Sequence, residues 1–352
     1  MGDRVVVIAL GGNAILPARG AVTVARQLRT IDIVARQIAR IIKQNYKVVI
    51  THGNGPQVGN LLLQQEHGQQ QTQSQPLDIC GAMTQGQIGY MLQNRLANQL
   101  ARMFAKPMPV CTLMTQVETD MHTAAAARPC KPVGPFHTAA EARHLERTRG
   151  YVMRNVAPHE EHGWRRVVAS PAPRCIVEAE PILRLLEHHV VVIACGGGGI
   201  PVVRAADGSL HGVEAVVDKD LTACLLAQLV AATCLLILTD VEGAALQWGT
   251  PRARMLSRLT VTQALRHHRA GEFPEGSMGP KIKAAAHFAK HSGQPAVIAS
   301  LRKAYAALSG KAGTRVVPDR PQRACRSLTF SRAPRRHDAT RRPRKESATT
   351  RA

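Results

Sequence analysis

The sequence predicts an α/β fold built on a largely parallel β-sheet with helices on both of its faces. Two observations support this prediction. Apolar runs rich in β-branched residues recur along the chain, and each one ends in a loop of small or polar residues. Segments with a helical period follow most of these runs, and this alternation is typical of a parallel sheet that is buried on both faces.

Six apolar runs are expected to be strands of the sheet. They cover residues 4–10, 46–51, 108–114, 190–195, 233–239 and 294–300. Two helices are predicted from apolar positions that repeat every three or four residues. Their buried faces would hold Leu28, Ile31, Val34, Ile38 and Ile41 in the first helix, and Ile88, Leu92, Leu96, Leu100 and Met103 in the second. We assign these residues to the core and attach no chemistry to them.

Residues 1–318 are predicted to form one domain, with a small lid subdomain inserted at about residues 119–168. The inserted stretch is rich in Ala, Arg, Pro and His and interrupts the alternation of strands and helices. Residues 319–352 contain eleven Lys or Arg against three Asp or Glu and show no periodicity. Such a composition favours a basic, disordered tail; the alternative is an artefact of the reading frame.

Composition narrows the possible functions. The net charge of +22 is compatible with a nucleic-acid partner or with an acidic small substrate. The tail supplies +8 of that charge, so the body is less strongly basic. None of the eight cysteines forms a CxxC pair, so we expect core thiols and no protein metal site. No apolar run approaches the roughly 18 residues of a membrane span, and a cytoplasmic, membrane-free protein is expected.

Four loops at the ends of predicted strands share small residues. They are Gly11-Gly12-Asn13, His52-Gly53-Asn54-Gly55, Gly196-Gly197-Gly198-Gly199 and Thr239-Asp240. The carboxyl ends of parallel strands lie on one edge of a sheet, so these loops are expected to meet there. Backbone N–H groups in glycine loops approach anions closely. We therefore predict a phosphate or carboxylate site, although a flexible linker is the alternative for the four consecutive glycines.

The familiar nucleotide motifs are not present. The chain has no GxxxxGK[ST] sequence, and GNGPQVG departs from GxGxxG by one residue. A Walker-type site and a Rossmann dinucleotide site are therefore not expected.

Two lysines are predicted to lie in the first turns of helices beside these loops. Lys219 is part of VVDKDL and Lys281 is part of GSMGPK. A cation opposes the helix dipole in this position, and a bound anion would offset that cost. The alternative is that Asp218 or Asp220 pairs with Lys219 while Lys281 faces water.

The sequence resembles the carbamate kinase family. The resemblance is carried by VIALGGNAIL, VVITHGNGPQVG, PLDICGAMTQGQIGYML, CKPVGPF, VIACGGGGIPVV, GVEAVVDKDL, LILTDVEG and GSMGPK, over about residues 3–318. Related acetylglutamate kinases typically have a lysine before the first LGG, whereas Ala9 stands there in this chain.

The resemblance implies a three-layer α/β/α sandwich of the amino-acid kinase fold and a homodimer. It implies reversible phosphoryl transfer between ATP with carbamate and ADP with carbamoyl phosphate. Mg²⁺ would accompany the nucleotide, and in many bacteria the enzyme makes ATP in arginine deiminase fermentation.

The resemblance also implies roles for individual residues. The catalytic set would be Lys131, Lys219, Asp220 and Lys281. Carbamate and the transferred phosphoryl group would bind at Gly11, Gly12, Asn13, Gly53, Asn54, Gly196, Gly197, Gly198 and Gly199. The nucleotide would bind at Thr239, Asp240, Gly276, Met278 and Gly279. Ala245 replaces an aromatic residue that the family has near the adenine, which predicts weaker nucleotide binding.

Two other functions remain open from the residues alone. The chain could be an amino-acid kinase that phosphorylates another carboxylate or a phosphonate. It could also be a weak enzyme that binds nucleic acid through its basic surface, although the charge is spread along the body and a nucleic-acid partner is not expected.

Overall fold

In a computed structural model of the protein, residues 4–15, 23–123, 126–274 and 276–319 are described, without the side chains of Asn13 and Ala14. These residues fall in one compact unit, Met1–Pro321. The predicted tail lies outside the described residues, apart from Asp319. No helix in the described part of the chain is long and apolar enough to cross a membrane.

Seventeen strands and ten helices are formed by the described residues. The strands are β1 Arg4–Leu10, β2 Tyr46–His52, β3 Val110–Thr112, β4 Gln116–Thr119, β5 Lys131–His137, β6 Val152–Asn155, β7 Trp164–Val168, β8 Pro173–Ile176, β9 Val191–Ile193, β10 Ile200–Arg204, β11 Leu210–Gly212, β12 Cys234–Thr239, β13 Ala245–Leu246, β14 Arg254–Met255, β15 Arg258–Thr260, β16 Ala296–Ser300 and β17 Thr314–Val317. The helices are α1 Gly12–Ile15, α2 Val24–Ile42, α3 Gly55–Gly68, α4 Leu77–Met103, α5 Ala139–Arg149, α6 Ala179–Glu187, α7 Lys219–Leu229, α8 Val261–Arg269, α9 Met278–Ser292 and α10 Ala304–Leu308.

The central sheet has eight strands in the order β15-β17-β16-β12-β1-β2-β9-β3. Every neighbouring pair is parallel except β16 with β17. All six runs that the sequence predicts as strands belong to this sheet. The prediction of a largely parallel sheet in an α/β fold is confirmed.

Both faces of the sheet are buried, which explains why its strands are apolar almost without interruption. Along β1, Val5, Val7 and Ala9 belong to one hydrophobic core, and the alternate residues of the strand belong to the other. Helices α2 and α4 cover the second core. Most of the residues predicted to form their buried faces lie there, from Ile31 to Leu100.

A small antiparallel sheet interrupts this arrangement in the middle of the chain. Its strand order is β5-β7-β6, and we call it the lid sheet. Helix α5 connects β5 to β6 and begins with a capping box formed by Thr138 and Glu141. On β5, Gly134 lies against Leu62 of α3, so the lid sheet packs beside the helix that begins at the end of β2. The limits of the lid subdomain and of the domain itself stay predictions.

Candidate active site

A cleft of about 520 Å³ opens at the carboxyl edge of the central sheet. Its walls come from the ends of β1, β2 and β12, the glycine loop at residues 196–199, the helices α1, α3, α7 and α9, and the lid sheet. Of the residues predicted from the sequence, the cleft wall includes Gly11, Gly12, Gly53, Asn54, Lys131, Gly197, Lys219, Thr239, Asp240, Gly276 and Lys281. Distant loops therefore converge at this edge, as expected for parallel strands.

Lys219 and Lys281 both pair with the carboxylate of Asp220. The Nζ atoms lie 3.3 Å and 3.7 Å from Oδ2 of Asp220, which is 3% exposed. Lys281 also donates a hydrogen bond to the carbonyl oxygen of Ser277 at 3.2 Å. The alternative in which Lys281 faces water is wrong, because the residue is buried. One carboxylate thus holds two ammonium groups beside the cleft.

Burial shifts the proton affinity of Lys281. Desolvation lowers the pKa of this ammonium group below its ordinary value, and the positive charge of Lys219 acts in the same direction. The carboxylate of Asp220 opposes the shift because it stabilises the charged form. A bound anion would also favour the charged form of Lys281.

Lys131 reaches the same region from the first position of β5. Its Nζ atom lies 3.2 Å from Oδ2 of Asp218, and this pair is partly exposed. Oδ1 of Asp218 accepts hydrogen bonds from the N–H groups of Asp220 and Leu221, so Asp218 caps helix α7. Burial opposes ionisation of Asp218, but the nearby lysines Lys131 and Lys219 hold its pKa below the ordinary value.

The glycine loop, residues 196–199, has a backbone that few other residues could adopt. Gly197, Gly198 and Gly199 have φ values of 71°, 98° and 92°, in the region that favours glycine. Cys195, just before the loop, also has a positive φ of 55°. The loop is therefore a tightly folded turn, and the linker alternative is wrong.

Two buried threonine side chains hold the residue that precedes the glycines. The carbonyl oxygen of Cys195 accepts from Oγ1 of Thr51, and the Cys195 N–H donates to Oγ1 of Thr115. These bonds, at 2.9 Å and 3.0 Å, fix the left-handed residue at the end of β9. Cys195 is buried, its burial raises the pKa of its thiol, and it behaves as a small core residue.

Two further side chains fix the glycines themselves. Nε2 of Gln85 on α4 donates to the carbonyl oxygen of Gly196 at 3.0 Å. Oγ1 of Thr222 on α7 donates to the carbonyl oxygen of Gly198 at 2.9 Å. The loop is thereby tied to the helix that begins with Lys219, so the glycines and this lysine keep a fixed relationship.

Several backbone N–H groups predicted to meet an anion are already engaged. Those of Gly11, Gly53, Gly198 and Gly199 donate to the carbonyl oxygens of Leu238, Leu10, Cys195 and Gly196. For these four glycines the predicted use of the N–H group is wrong, because it continues the sheet or closes the turn. Gly197 is the loop residue that lines the cleft.

The glycines are required by close contacts within the protein. A Cβ at Gly198 would lie 2.4 Å from the carbonyl oxygen of Val217, so a side chain there would collide with the protein's own backbone. A Cβ at Gly53 would lie 2.8 Å from the backbone nitrogen of Gly12 and 2.9 Å from Cδ of Lys219. These glycines let the strand ends and the lysine stem approach one another.

A second cavity of about 310 Å³ adjoins the cleft. The two share Thr239, Asp240, Ser277 and Lys281. Met278 lines the second cavity, as does Ala245. Its remaining wall is largely apolar and includes Trp248 and the almost completely buried Phe273, which the sequence analysis did not identify. An elongated ligand with a charged end and a flat apolar end would fit across both cavities.

Some predicted site residues do not line either cavity. Gly279 is buried in the first turn of α9, where its N–H donates to the carbonyl oxygen of Pro274 at 2.9 Å. Gly196, Gly198 and Gly199 are not among the residues that line the cleft or the second cavity. Asn13 belongs to α1, but its side chain is outside the described residues.

The sequence analysis also missed Arg165 on β7. Its side chain lines the cleft, and its Nε and Nη2 atoms donate to the carbonyl oxygen of Gly134 at 3.1 Å and 2.8 Å. The guanidinium lies over the ring of Phe136, 5.0 Å from the ring centroid. Because side chains alternate along a strand, the sequence could have indicated that Arg165 and Arg166 point to opposite faces of a sheet. It could not have indicated which of these faces meets the cleft.

Comparisons with known proteins find relatives that match most of the chain. The profile of the amino acid kinase family matches residues 4–300. A carbamate kinase from Thermococcus kodakarensis is 49% identical over 89% of this chain and 98% of its own length. One from Pyrococcus furiosus is 47% identical over 90% of this chain and all of its own length.

A solved structure gives the same result for the fold. A carbamate kinase from Giardia lamblia, bound to AMP-PNP, superimposes with a TM-score of 0.84 and 40% identity. The superposition covers 90% of this chain and 99% of the Giardia chain.

Proposed function

This chain belongs to the amino acid kinase family and, within it, to the carbamate kinases, and from that premise we propose that its cleft transfers a phosphoryl group reversibly between ATP and carbamate. The observation that carries the proposal is the pairing of Lys219 and Lys281 with Asp220 at the wall of the cleft. In the reverse direction, carbamoyl phosphate would give its phosphoryl group to ADP.

The lysines suit the charge changes of phosphoryl transfer. The phosphoryl group carries negative charge on its oxygens throughout the reaction, and fixed cations stabilise it without reorganising. Lys219 and Lys281 extend from two separate helices and are restrained by one carboxylate, so they would hold the donor and acceptor oxygens in line. Lys131 would close the site from the lid sheet.

Carbamate needs no general base from the protein. Its carboxylate oxygen is already an anion, so the nucleophile carries no proton to remove. His52, the histidine at the end of β2, is buried with a pKa lowered to about 4 and is therefore neutral near pH 7. The proposed mechanism gives this histidine no part in proton transfer.

The second cavity is suited to the base of the nucleotide. The AMP-PNP bound by the Giardia relative supports a nucleotide in this fold, and the exposed ring of Trp248 offers a flat apolar surface. We assign the base to this cavity and the phosphates to the junction near Asp240. The aromatic surface lost at Ala245 would then be supplied by Trp248.

Mg²⁺ would accompany the nucleotide. The described residues contain no group of three or more side chains placed to hold a metal ion, and Mg²⁺ in kinases is commonly held by substrate phosphates and one or two carboxylates. The carboxylate of Asp240 at the junction of the two cavities fits that requirement. The ion would neutralise phosphate charge there.

A panel of acceptors tests the proposal. Purified enzyme would be given MgATP with ammonium bicarbonate, acetylglutamate, glutamate, aspartate or a phosphonate, and ADP release would be followed. We expect carbamate to give the highest kcat/KM. A preference for another acceptor by more than about tenfold, roughly 1.4 kcal/mol, would contradict the proposal and favour a different amino-acid kinase.

In the cell, we propose a cytoplasmic role in ATP synthesis at the end of arginine breakdown. Carbamoyl phosphate is a mixed anhydride, so transfer to ADP is chemically reasonable, and the resemblance to the family supports this direction. Cells that lack the gene should lose arginine-dependent ATP formation, and unchanged ATP formation would contradict the role.

A homodimer is proposed from an exposed apolar stripe on α4. Ile79, Met83 and Tyr90 lie on one face of this helix, and Tyr90 is 68% exposed. Three large apolar side chains on one face favour a second copy of the chain as their partner. Tyr90→Asp should halve the mass measured by light scattering, whereas Val24→Asp, at an exposed position at the start of α2, should leave it unchanged. A monomeric wild-type protein would contradict the proposal.

A further inference from the structure

Arg165 has an unusual environment among the cations of the cleft. Lys131, Lys219 and Lys281 each form an ion pair with an aspartate. Arg165 forms none with the residues that the structure describes, and its guanidinium contacts the carbonyl oxygen of Gly134 and the ring of Phe136. Both partners are uncharged, so the guanidinium has shed part of its water without gaining an anion.

Burial is the physical cause of a lowered pKa at Arg165, and no neighbouring charge contributes. A partly buried cation without an anionic partner is costly, because desolvation is not repaid. Within the described part of the site, the positive charges of the three lysines are matched in number by the negative charges of Asp218, Asp220 and Asp240. Arg165 therefore leaves one positive charge in excess at the cleft.

The position of Arg165 distinguishes between the two substrates. Thr239, Asp240 and Lys281 line both cavities and mark where the nucleotide phosphates would lie. Arg165 lines the main cleft alone, on the lid sheet that also carries Lys131. Its guanidinium therefore lies in the part of the cleft that the nucleotide would not occupy, where carbamate or carbamoyl phosphate would bind.

We propose that Arg165 binds the phosphoryl group of carbamoyl phosphate, or the carboxylate of carbamate, and so is a substrate-binding residue of the lid sheet. This inference rests on the proposed function. The contact with Gly134 and the stack on Phe136 hold the guanidinium plane in place before the substrate arrives. A planar, preoriented guanidinium recognises phosphate and carboxylate oxygens better than a mobile ammonium group does.

The test separates the two substrates kinetically. We would measure KM for carbamoyl phosphate at saturating MgADP, and KM for MgADP at saturating carbamoyl phosphate, in Arg165→Met and Arg165→Lys. The matched control is Arg154→Met, which removes the same charge from β6 at the position paired with Arg165. Thermal unfolding of each variant would report on folding.

We expect Arg165→Met to raise KM for carbamoyl phosphate by at least about tenfold, with KM for MgADP changed by less than about twofold. Arg165→Lys should recover part of the loss, because it keeps the charge. The inhibition constant of inorganic phosphate against carbamoyl phosphate should rise with KM. Arg154→Met should resemble the wild type.

Three results would overturn the inference. The first is an unchanged KM for carbamoyl phosphate in Arg165→Met. The second is an equal rise of this KM in Arg154→Met. The third is a rise of both KM values in Arg165→Met together with a loss of thermal stability, because that combination indicates a structural role in the lid sheet. If Arg165→Met does not fold, Arg165→Lys decides through the same KM comparison. A wild-type enzyme without turnover of carbamoyl phosphate would overturn the proposed function as well, so the two failures are distinguishable.

Discussion

Lys219 and Lys281 begin in two different helices and form ion pairs with the same carboxylate oxygen, Oδ2 of Asp220, at 3.3 Å and 3.7 Å. The carboxylate is almost completely buried, and these two ammonium groups are the cations that stabilise its negative charge. Two like charges this close would repel without the shared anion. Asp220 is therefore the group that keeps both lysines at the cleft.

Asp220→Asn should disrupt this arrangement while keeping the shape of the side chain. We expect kcat to fall by about a hundredfold or more, because the lysines separate, and stability to fall by about 3 kcal/mol, as for a broken buried ion pair. Steady-state kinetics and urea unfolding would measure both. Glu242→Gln is the matched control, since its pair with Lys303 is exposed and should matter little. Unchanged turnover in Asp220→Asn would contradict the assigned role.

Gly198→Ala should reduce stability as well as activity. Its φ of 98° disfavours a side chain, and the new Cβ would meet the carbonyl oxygen of Val217. We expect a loss of about 2 kcal/mol or more in the free energy of unfolding. Gly81→Ala on α4 has open space around it and should be neutral or stabilising. Lost turnover with unchanged stability would show that the side chain meets substrate after all.

Trp248 should report nucleotide binding. The chain has two tryptophans, so Trp164→Phe leaves Trp248 as the single fluorophore. We expect MgADP to change its emission, and Trp248→Leu to raise KM for MgADP by about tenfold through lost stacking. KM for carbamoyl phosphate should hardly change. An emission insensitive to MgADP would exclude Trp248 from the base site.

His52 should make the protein sensitive to acid. Burial lowers its pKa to about 4, against 6.5 for the free side chain, although a hydrogen bond with the Gly53 carbonyl opposes the shift. The folded state therefore binds fewer protons than the unfolded state between these values. The stability contributed by neutral His52 is complete above about pH 6.5 and is lost as pH falls toward 4.

The magnitude is about 3 kcal/mol between neutral pH and the acid limit. Urea unfolding of wild type and His52→Asn, at about pH 7 and about pH 4.5, would isolate it from the other histidines. We expect the wild type to lose more stability than the variant on acidification. Equal losses would mean that His52 titrates normally in the folded protein.

Much of the fold follows from local patterns in the sequence. The run that becomes β1 is apolar at every position after Arg4, and this alone indicates a strand buried on both faces. Lys219 and Lys281 could be placed at helix starts from their flanking residues. Parallel strands then bring those helix starts to one edge, so the approximate site follows as well.

The remaining features depend on contacts between distant residues. No local pattern indicates that the N–H of Gly198 closes a turn, or that a Cβ there would meet Val217. Trp248 lies in the connection between β13 and β14, and the sequence does not indicate which way this hairpin points. Arg165 and Arg166 are neighbours on β7, yet Arg165 faces the cleft while Arg166 pairs with Glu214. The sequence predicts that neighbouring side chains on a strand point to opposite faces of the sheet. Which of the two arginines faces the cleft is set by the packing of the lid sheet.

Formation of ATP from carbamoyl phosphate and MgADP is the most direct test of the proposed reaction. The wild type should make ATP continuously, and a variant with Lys219→Ala and Lys281→Ala should be slower by at least about a thousandfold, because two cations that stabilise the phosphoryl group are gone. Both proteins should have similar circular dichroism spectra. ATP formation by the wild type no faster than by the double variant would contradict the assignment of this cleft to phosphoryl transfer.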